Sequence, residues 1–286
     1  MDQLNIQWFP GHMTKARRMM QESMQSVDAL CEILDARIPN ASRNPEIDAL
    51  AAGKPRLIIL NRSDLADPAM TKRWKQYYES RGFAVLDCDA RSGKGASVFA
   101  PAVRSILADR LEAWRGKGQV GRKLRVMVAG IPNVGKSTFI NRVAGRKAAQ
   151  AGDKPGVTRG KQWIAVDSGL ELLDTPGILW PKFEDPEVGE LLAVTNAIKA
   201  EVVDREALGA RFLSRLCAIY PDAVRERYKI EAEEGENGYD LLEKAAQKRG
   251  FLISRGEYDI ERMANTLLTE YHSGKLGRLT LETPPV

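Results

Sequence analysis

Cysteine and histidine are scarce in this chain. Its 286 residues hold three cysteines, Cys31, Cys88 and Cys217, and two histidines, His12 and His272. The cysteines are odd in number, widely spaced and without a CxxC pair, so neither a disulfide framework nor a zinc centre is expected, and reduced thiols are. Long apolar runs are also missing, so no segment is expected to span a bilayer. The opening MDQLNIQWFPGHM has no signal-peptide apolar stretch and no transit-peptide composition. A cytoplasmic protein with no membrane partner is the expectation. Internal repeats and low-complexity segments are absent from the sequence as well.

What is present fits a globular protein of one large or two ordinary domains: 43% hydrophobic and 28% charged residues. The net charge of +5 and pI near 9.0 lean toward polyanionic partners. Basic residues gather at Lys15–Arg18, along RGKGQVGRK (115–123) and from Arg225 to Lys229; each alone reads as a solvated surface.

The first half alternates strand candidates with helical stretches. DALCEILDAR (28–37), RLIILNRSD (56–64) and FAVLDCDA (83–90) are the strands. Asp67 and Pro68 predict a helix start and Gly82 its stop. Residues 97–114 predict one further helix, with Val98, Ala102, Ile106 and Leu111 roughly on one face. RGKGQVGRK then reads as a flexible linker. Beyond it, KLRVMVAGIPNVGKSTFINRVAG predicts strand, loop and helix, and KQWIAV and LELLDTPG predict two more strands. After the Pro-containing WPKFEDPE (180–187), helices are expected over 206–220, 239–249 and 258–272, the last with Gly274 as its cap.

The segment Gly130-Ile131-Pro132-Asn133-Val134-Gly135-Lys136-Ser137 matches G-x-x-x-x-G-K-[ST], after a strand and before a helix. Backbone N–H groups over Asn133, Val134, Gly135, Lys136, Ser137 and Thr138 are expected to cradle phosphates at the helix N-terminus. Lys136 would reach the β- and γ-phosphates, and the Ser137 hydroxyl would ligate Mg²⁺. Asp174-Thr175-Pro176-Gly177 closes a strand; Asp174 there can hold Mg²⁺ through water, and the Gly177 N–H can meet the γ-phosphate. Thr158, in PGVTR, is a further candidate Mg²⁺ ligand.

Asn61-Arg62-Ser63-Asp64 is one residue from N-K-x-D. Guanine presents two donors on one edge, and the Asp64 carboxylate can accept both; adenine presents an acceptor there. Asn61 would bond the base and brace the phosphate loop, while the Arg62 stem and guanidinium can cover the base face. Asp89-Ala90 stands where a backbone contact to guanine O6 is expected, through the Ala90 N–H. These motifs run base, base, phosphate, switch, switch, whereas an ordinary GTPase begins with phosphate. RGKGQVGRK lies where a circular permutation would join the old termini.

Together with WFPGHMTKA (8–16), DARIPNASRNP (35–45), DTPGILWPKFED (174–185) and the tail from Tyr258, these motifs resemble the YlqF/RbgA family of circularly permuted GTPases. Departures are Arg62, Asp89 and Asn196, the last where the family usually has glycine. The resemblance implies an α/β fold: a permuted P-loop GTPase domain with a mostly parallel sheet over 1–185, then a small α-helical domain over 186–286. It implies a GTP hydrolase that assists assembly of the large (50S) ribosomal subunit. The partners implied are GTP and GDP, the subunit precursor, its rRNA and ribosomal proteins. The rRNA would be gripped by the basic N-terminal segment (Lys15, Arg17, Arg18) and by the helical domain.

Ile178 follows DTPG, where many GTPases carry a water-orienting glutamine, so slow intrinsic hydrolysis is expected. His12 in PGHM is the candidate catalytic replacement, beside Lys136 and Thr158. Asn133 occupies the position at which K⁺-activated GTPases ligate K⁺. Nucleotide-dependent ordering after DTPG is expected to reach the helical domain through WPKFEDPE. The alternative is a GTP-binding RNA scaffold with negligible turnover.

Overall fold

The computed structural model describes every residue except 1–3, 5, 7, 9, 52, 120, 146–148, 150–161, 200–201, 254–255 and 286. The chain divides into two units: Phe9–Lys182 with Glu282–Val286, and Met1–Trp8 with Phe183–Leu281.

The first unit is built on six strands, β1 (Ala29–Asp35), β2 (Arg56–Asn61), β3 (Ala84–Asp87), β4 (Leu124–Gly130), β5 (Gln162–Asp167) and β6 (Leu170–Asp174). Their spatial order is β3-β2-β1-β4-β6-β5, all parallel except the β5–β6 pair. β1 is buried along its full length, as a central parallel strand must be. Its register sets Leu30 beside Met127 and Ile33 beside Gly130, so β1 flanks both β2 and the strand that carries the phosphate loop. The base-side motif therefore ends β2 and the phosphate loop ends β4, at the same carboxyl edge of the sheet.

Helix α1 (Gly11–Met24) and the short α2 (Glu46–Leu50) cover one face. There Ala16, Met20 and Met24 pack with Leu30, Met127, Leu173 and Ile178. A second cluster on that face joins Leu34, Ile58 and Leu60 to Trp74 and Tyr78 of α3 (Pro68–Ser80). Asp67 caps α3 as expected, its side chain accepting from the N–H groups of Ala69 and Met70. Between the clusters Glu32 is fully buried and ion-paired with Arg56. Burial pushes its carboxyl pKa up against the pull of Arg56 and Arg43.

The single helix expected over 97–114 is two, α4 (Phe99–Ile106) and α5 (Ala108–Gly116), broken at Leu107. The buried positions are Phe99, Val103, Leu107 and Trp114, the first three each one residue past the position expected; Val98 is 49% exposed. The reason is aromatic: Phe99 packs edge-on against Phe139 of α6 (Lys136–Val143), centroids 5.1 Å apart. The helix turns to bury that ring.

The second unit holds α7 (Pro186–Val194), α8 (Arg205–Ile219), α9 (Pro221–Tyr228), α10 (Gly238–Arg249) and α11 (Ile260–His272). α8, α10 and α11 lie where helices were expected; α7 and α9, each opened by proline, are additional. Glu270 ties three of them together: it accepts from Arg227, Arg249 and the Tyr228 hydroxyl. Burial opposes its ionisation, but these donors outweigh burial and hold its carboxyl below the usual range. Asn196 adopts φ +63° just past α7, with its N–H on Ala193 O and that of Ala197 on Leu192 O. This is a left-handed helix cap, which explains both the usual glycine and why asparagine replaces it at small cost. No helix is long and apolar enough to cross a membrane among the described residues.

Candidate functional site

Three loops meet at the carboxyl edge of the sheet. The first follows β4, where Lys136 opens α6 and folds back over the loop. Its Nζ donates to Ile131 O at 2.9 Å and Gly130 O at 3.2 Å. Burial lowers the Lys136 pKa to about 8, with Asp174 pulling the other way. Asp174, at the end of β6, is 1% exposed. Lys136 and Asp174 are thus electrostatic neighbours, as their separate motifs require.

Gly177 completes this half of the site. A Cβ there would lie 2.8 Å from Pro132 Cα and 2.9 Å from Lys136 Nζ, so only glycine allows the DTPG segment to close on the phosphate loop. Ile178 turns away, fully buried against α1 and β4, with its N–H on Gly130 O at 3.3 Å and its carbonyl accepting from Asn44 Nδ2. Its side chain is a core plug.

The base side is tied to the phosphate side by two neighbouring side chains. Asn61 Nδ2 donates to Val134 O at 2.8 Å, and Arg62 Nη2 donates to Asn133 O at 2.5 Å. Arg62 and Asn133 both sit in left-handed backbone, φ +59° and +58°. Gly135 (φ +97°) makes the approach feasible, since a Cβ there would come within 2.4 Å of Asn61 Nδ2. Arg62 also lies 3.8 Å from Asp35, at the end of β1, whose carboxylate is held by Arg37. Asp64, one turn further, is exposed at this edge.

Asn61 also reaches the third loop, its Oδ1 accepting from the Ala90 N–H at 3.1 Å. That amide, expected to face a base oxygen, is engaged by protein here. Asp89 accepts from the N–H groups of Arg91 and Ser92 and so closes its own loop. Burial works against its ionisation, but the bonds from Ser92 and Arg91 prevail and hold its carboxyl below the usual range. Its side chain shapes the loop. Asn61 was singled out in the sequence for the base and for bracing the phosphate loop; its bond to the Ala90 loop emerges only from the structure.

Ser137 and Thr138 lie half-buried in the first turn of α6, where backbone N–H groups are unpaired within a helix. The oxygen donors of Ser137 and Asp174 suit a hard divalent cation that keeps most of its shell as phosphate and water. His12 belongs to α1, one turn before Ala16, but its side chain lies outside the described residues, as does Thr158.

Comparisons with known proteins identify the family. The model of the 50S ribosome-binding GTPase family matches residues 125–234. Ribosome biogenesis GTPase A of Priestia megaterium is 44% identical over 282 residues, covering 98% of each chain. That of Thermotoga maritima is 32% identical, covering 98% of this chain and 95% of its own. Among solved structures, GNP-bound YlqF from T. maritima has a TM-score of 0.64 at 27% identity, covering 94% of this chain and 98% of that one. A GDP-bound structure of YlqF matches with a TM-score of 0.65, also at 27% identity. This chain therefore belongs to the ribosome biogenesis GTPase A (YlqF/RbgA) family, P-loop GTPases that hydrolyse GTP in the assembly of the large ribosomal subunit.

Proposed function

We propose that this chain binds guanine nucleotide across the three loops. On this reading Asp64 reads the base and Asn61 and Arg62 lock the base loop to the phosphate loop. Asn133 to Thr138 cradle the phosphates, and Gly177 faces the γ-phosphate. The observation that carries the proposal is the double tie of Asn61 to Val134 and Arg62 to Asn133. It brings motifs from opposite halves of the chain to one edge.

The GTPase family uses Mg²⁺, and Ser137, Thr158 and Asp174 are the residues proposed to hold it, the first two directly and Asp174 through water. Bound there, the ion offsets charge on the β- and γ-phosphate oxygens. Lys136 does the same from the protein side; phosphate replaces the carbonyls it now contacts. Arg62 keeps the base loop in register, and Asp35, itself fixed by Arg37, supports Arg62 from behind. Asn133 is proposed as a K⁺ ligand beside the phosphates.

The attacking water has no partner in the Ile178 side chain, which is committed to the core. His12 is the proposed replacement. α1 packs through Ala16 and Met20 on the same cluster as Ile178, which supports a coupling of the N-terminal segment to the DTPG loop. Stimulation of hydrolysis by the large subunit follows if the subunit orders that segment. The proposed partners are rRNA and ribosomal proteins of the subunit precursor, met in the cytoplasm by the N-terminal cations and by a helical RNA-binding domain over 186–286.

Competition binding tests the site. Asp64→Ala should lower guanine nucleotide affinity and erase discrimination against ATP, a loss of about 10³-fold or more in the GTP-to-ATP ratio. Unchanged discrimination would remove Asp64 from the base site.

A further inference from the structure

The join between the two halves of the GTPase fold carries more charge than a linker needs. From Arg110 to Arg125 there are six basic residues (Arg110, Arg115, Lys117, Arg122, Lys123, Arg125) and one acidic residue, Glu112. All six cations are exposed. The other basic clusters are more fully neutralised within the protein. Arg225 pairs with Asp222 and Glu231, Arg227 pairs with Glu270, and on α1 Arg17 and Arg18 pair with Glu46 and Glu22. In the join Arg110 meets Asp28, and Lys123 and Arg125 share Glu171. Arg115 and Lys117 have no ion-pair partner among the described residues.

The join is also built rather than loose. Trp114, 8% exposed, anchors it. The Trp114 carbonyl accepts from the N–H groups of Lys117 and Gln119, at 3.1 and 3.0 Å, and Gly118 turns the chain at φ +67°. The guanidinium of Arg122 lies 4.2 Å from the Trp114 ring centroid and that of Arg110 5.4 Å. Cations in a last helical turn suit the negative end of the helix, which accounts for Arg115. It does not account for Arg122, which lies beyond the helix and its Lys117 cap. Charges held by a buried ring lose little freedom when they meet a partner.

Its position separates it from the nucleotide. The join enters β4 at Leu124, and the phosphate loop leaves β4 at Gly130. At about 3.3 Å per residue this places the two ends of the strand roughly 20 Å apart. A partner on the join does not compete with nucleotide for space.

We infer that the Arg115–Arg122 join is a docking surface for the phosphate backbone of ribosomal RNA, separate from the N-terminal segment and the helical unit. This rests on the ribosomal reading above and deepens it. RNA is favoured over an acidic protein because the exposed Arg115 and Lys117, beside an Arg122 held over the Trp114 ring, offer point charges to phosphate and little apolar surface.

The test is filter binding of the full chain to protein-free large-subunit rRNA along a NaCl series, repeated with intact large subunits. Two variants are compared, Arg115→Glu/Lys117→Glu and the milder Arg115→Gln/Lys117→Gln. GDP affinity and the unfolding midpoint serve as controls and should not change. The Gln pair should weaken RNA binding about 10-fold or more at low salt. It should also flatten the slope of log K against log salt by about 1.4–1.8, since each phosphate contact contributes roughly 0.7–0.9. RNA affinity and slope equal to the parent chain in both variants would overturn the inference. Loss of subunit binding with RNA binding intact would also overturn it, in favour of an acidic ribosomal protein. A parent chain that binds neither RNA nor subunits would instead overturn the ribosomal reading itself.

Discussion

Lys136 is buried and cationic, its Nζ donating to two backbone carbonyls, with the Asp174 carboxylate favouring its charged form. Burial dominates and sets its pKa at about 8. An unfolded lysine titrates near ~10.4, so between these values the unfolded chain binds more protons. Stability of the nucleotide-free chain therefore rises with pH across that window and is flat below it. Nucleotide phosphates favour the charged form and act oppositely. GDP affinity should be constant below pH about 8 and weaken above it, by up to ~10-fold per unit until the bound-state pKa is reached. Titrating Kd against pH for the parent and for Lys136→Met checks this; the variant should lose that part of the dependence. At Asn133 the prediction concerns cations: GTP turnover should be faster in K⁺ than in Na⁺, and equal rates would remove Asn133 as a K⁺ ligand. The types of these residues were legible because phosphate and guanine chemistry restrict what can stand at each motif position. The second job of Asn61, on Ala90, was not, because it depends on where β3 ends relative to β2.

Elements show a similar division. Strands were legible because parallel central strands are near-continuous apolar runs between turn residues, as RLIILN and LRVMVAG are. The α4–α5 break was not, since the phase of that helix is decided by Phe99 seeking Phe139, a tertiary contact invisible to periodicity. The end of the chain supplies another case. Glu282 returns to the sheet-bearing unit, where its carboxylate accepts from the N–H groups of Asn40 at 2.8 Å and Ala41 at 3.0 Å. Its carbonyl accepts from the Trp74 indole at 3.1 Å. These contacts clamp the 36–45 loop, which also carries Asn44 to the Ile178 carbonyl. Glu282→Ala leaves two amides without their acceptor, one of them buried, at a cost of about 1–2 kcal/mol. Calorimetry should show the transition of this unit lowered by roughly 2–8 °C. An unchanged transition would make the C-terminal contact dispensable.

At the scale of the molecule, permutation leaves the sheet order of the GTPase fold intact while changing what is attached to it. The base motif precedes the phosphate loop in sequence, yet the two end parallel strands on either side of β1, so the site is assembled by the sheet and not by chain order. The chain leaving the DTPG loop runs directly into the helical unit, which gives the segment proposed to sense nucleotide a covalent path to a second unit. The buried Ile178 and the helix bearing His12 share one cluster, so turnover is expected to await a partner that orders the N-terminal segment. GTP hydrolysis measured with and without purified large ribosomal subunits tests this most directly. Slow turnover alone, strong acceleration by subunits and loss of that acceleration in His12→Ala are the predicted results; turnover that subunits leave unchanged would contradict the account.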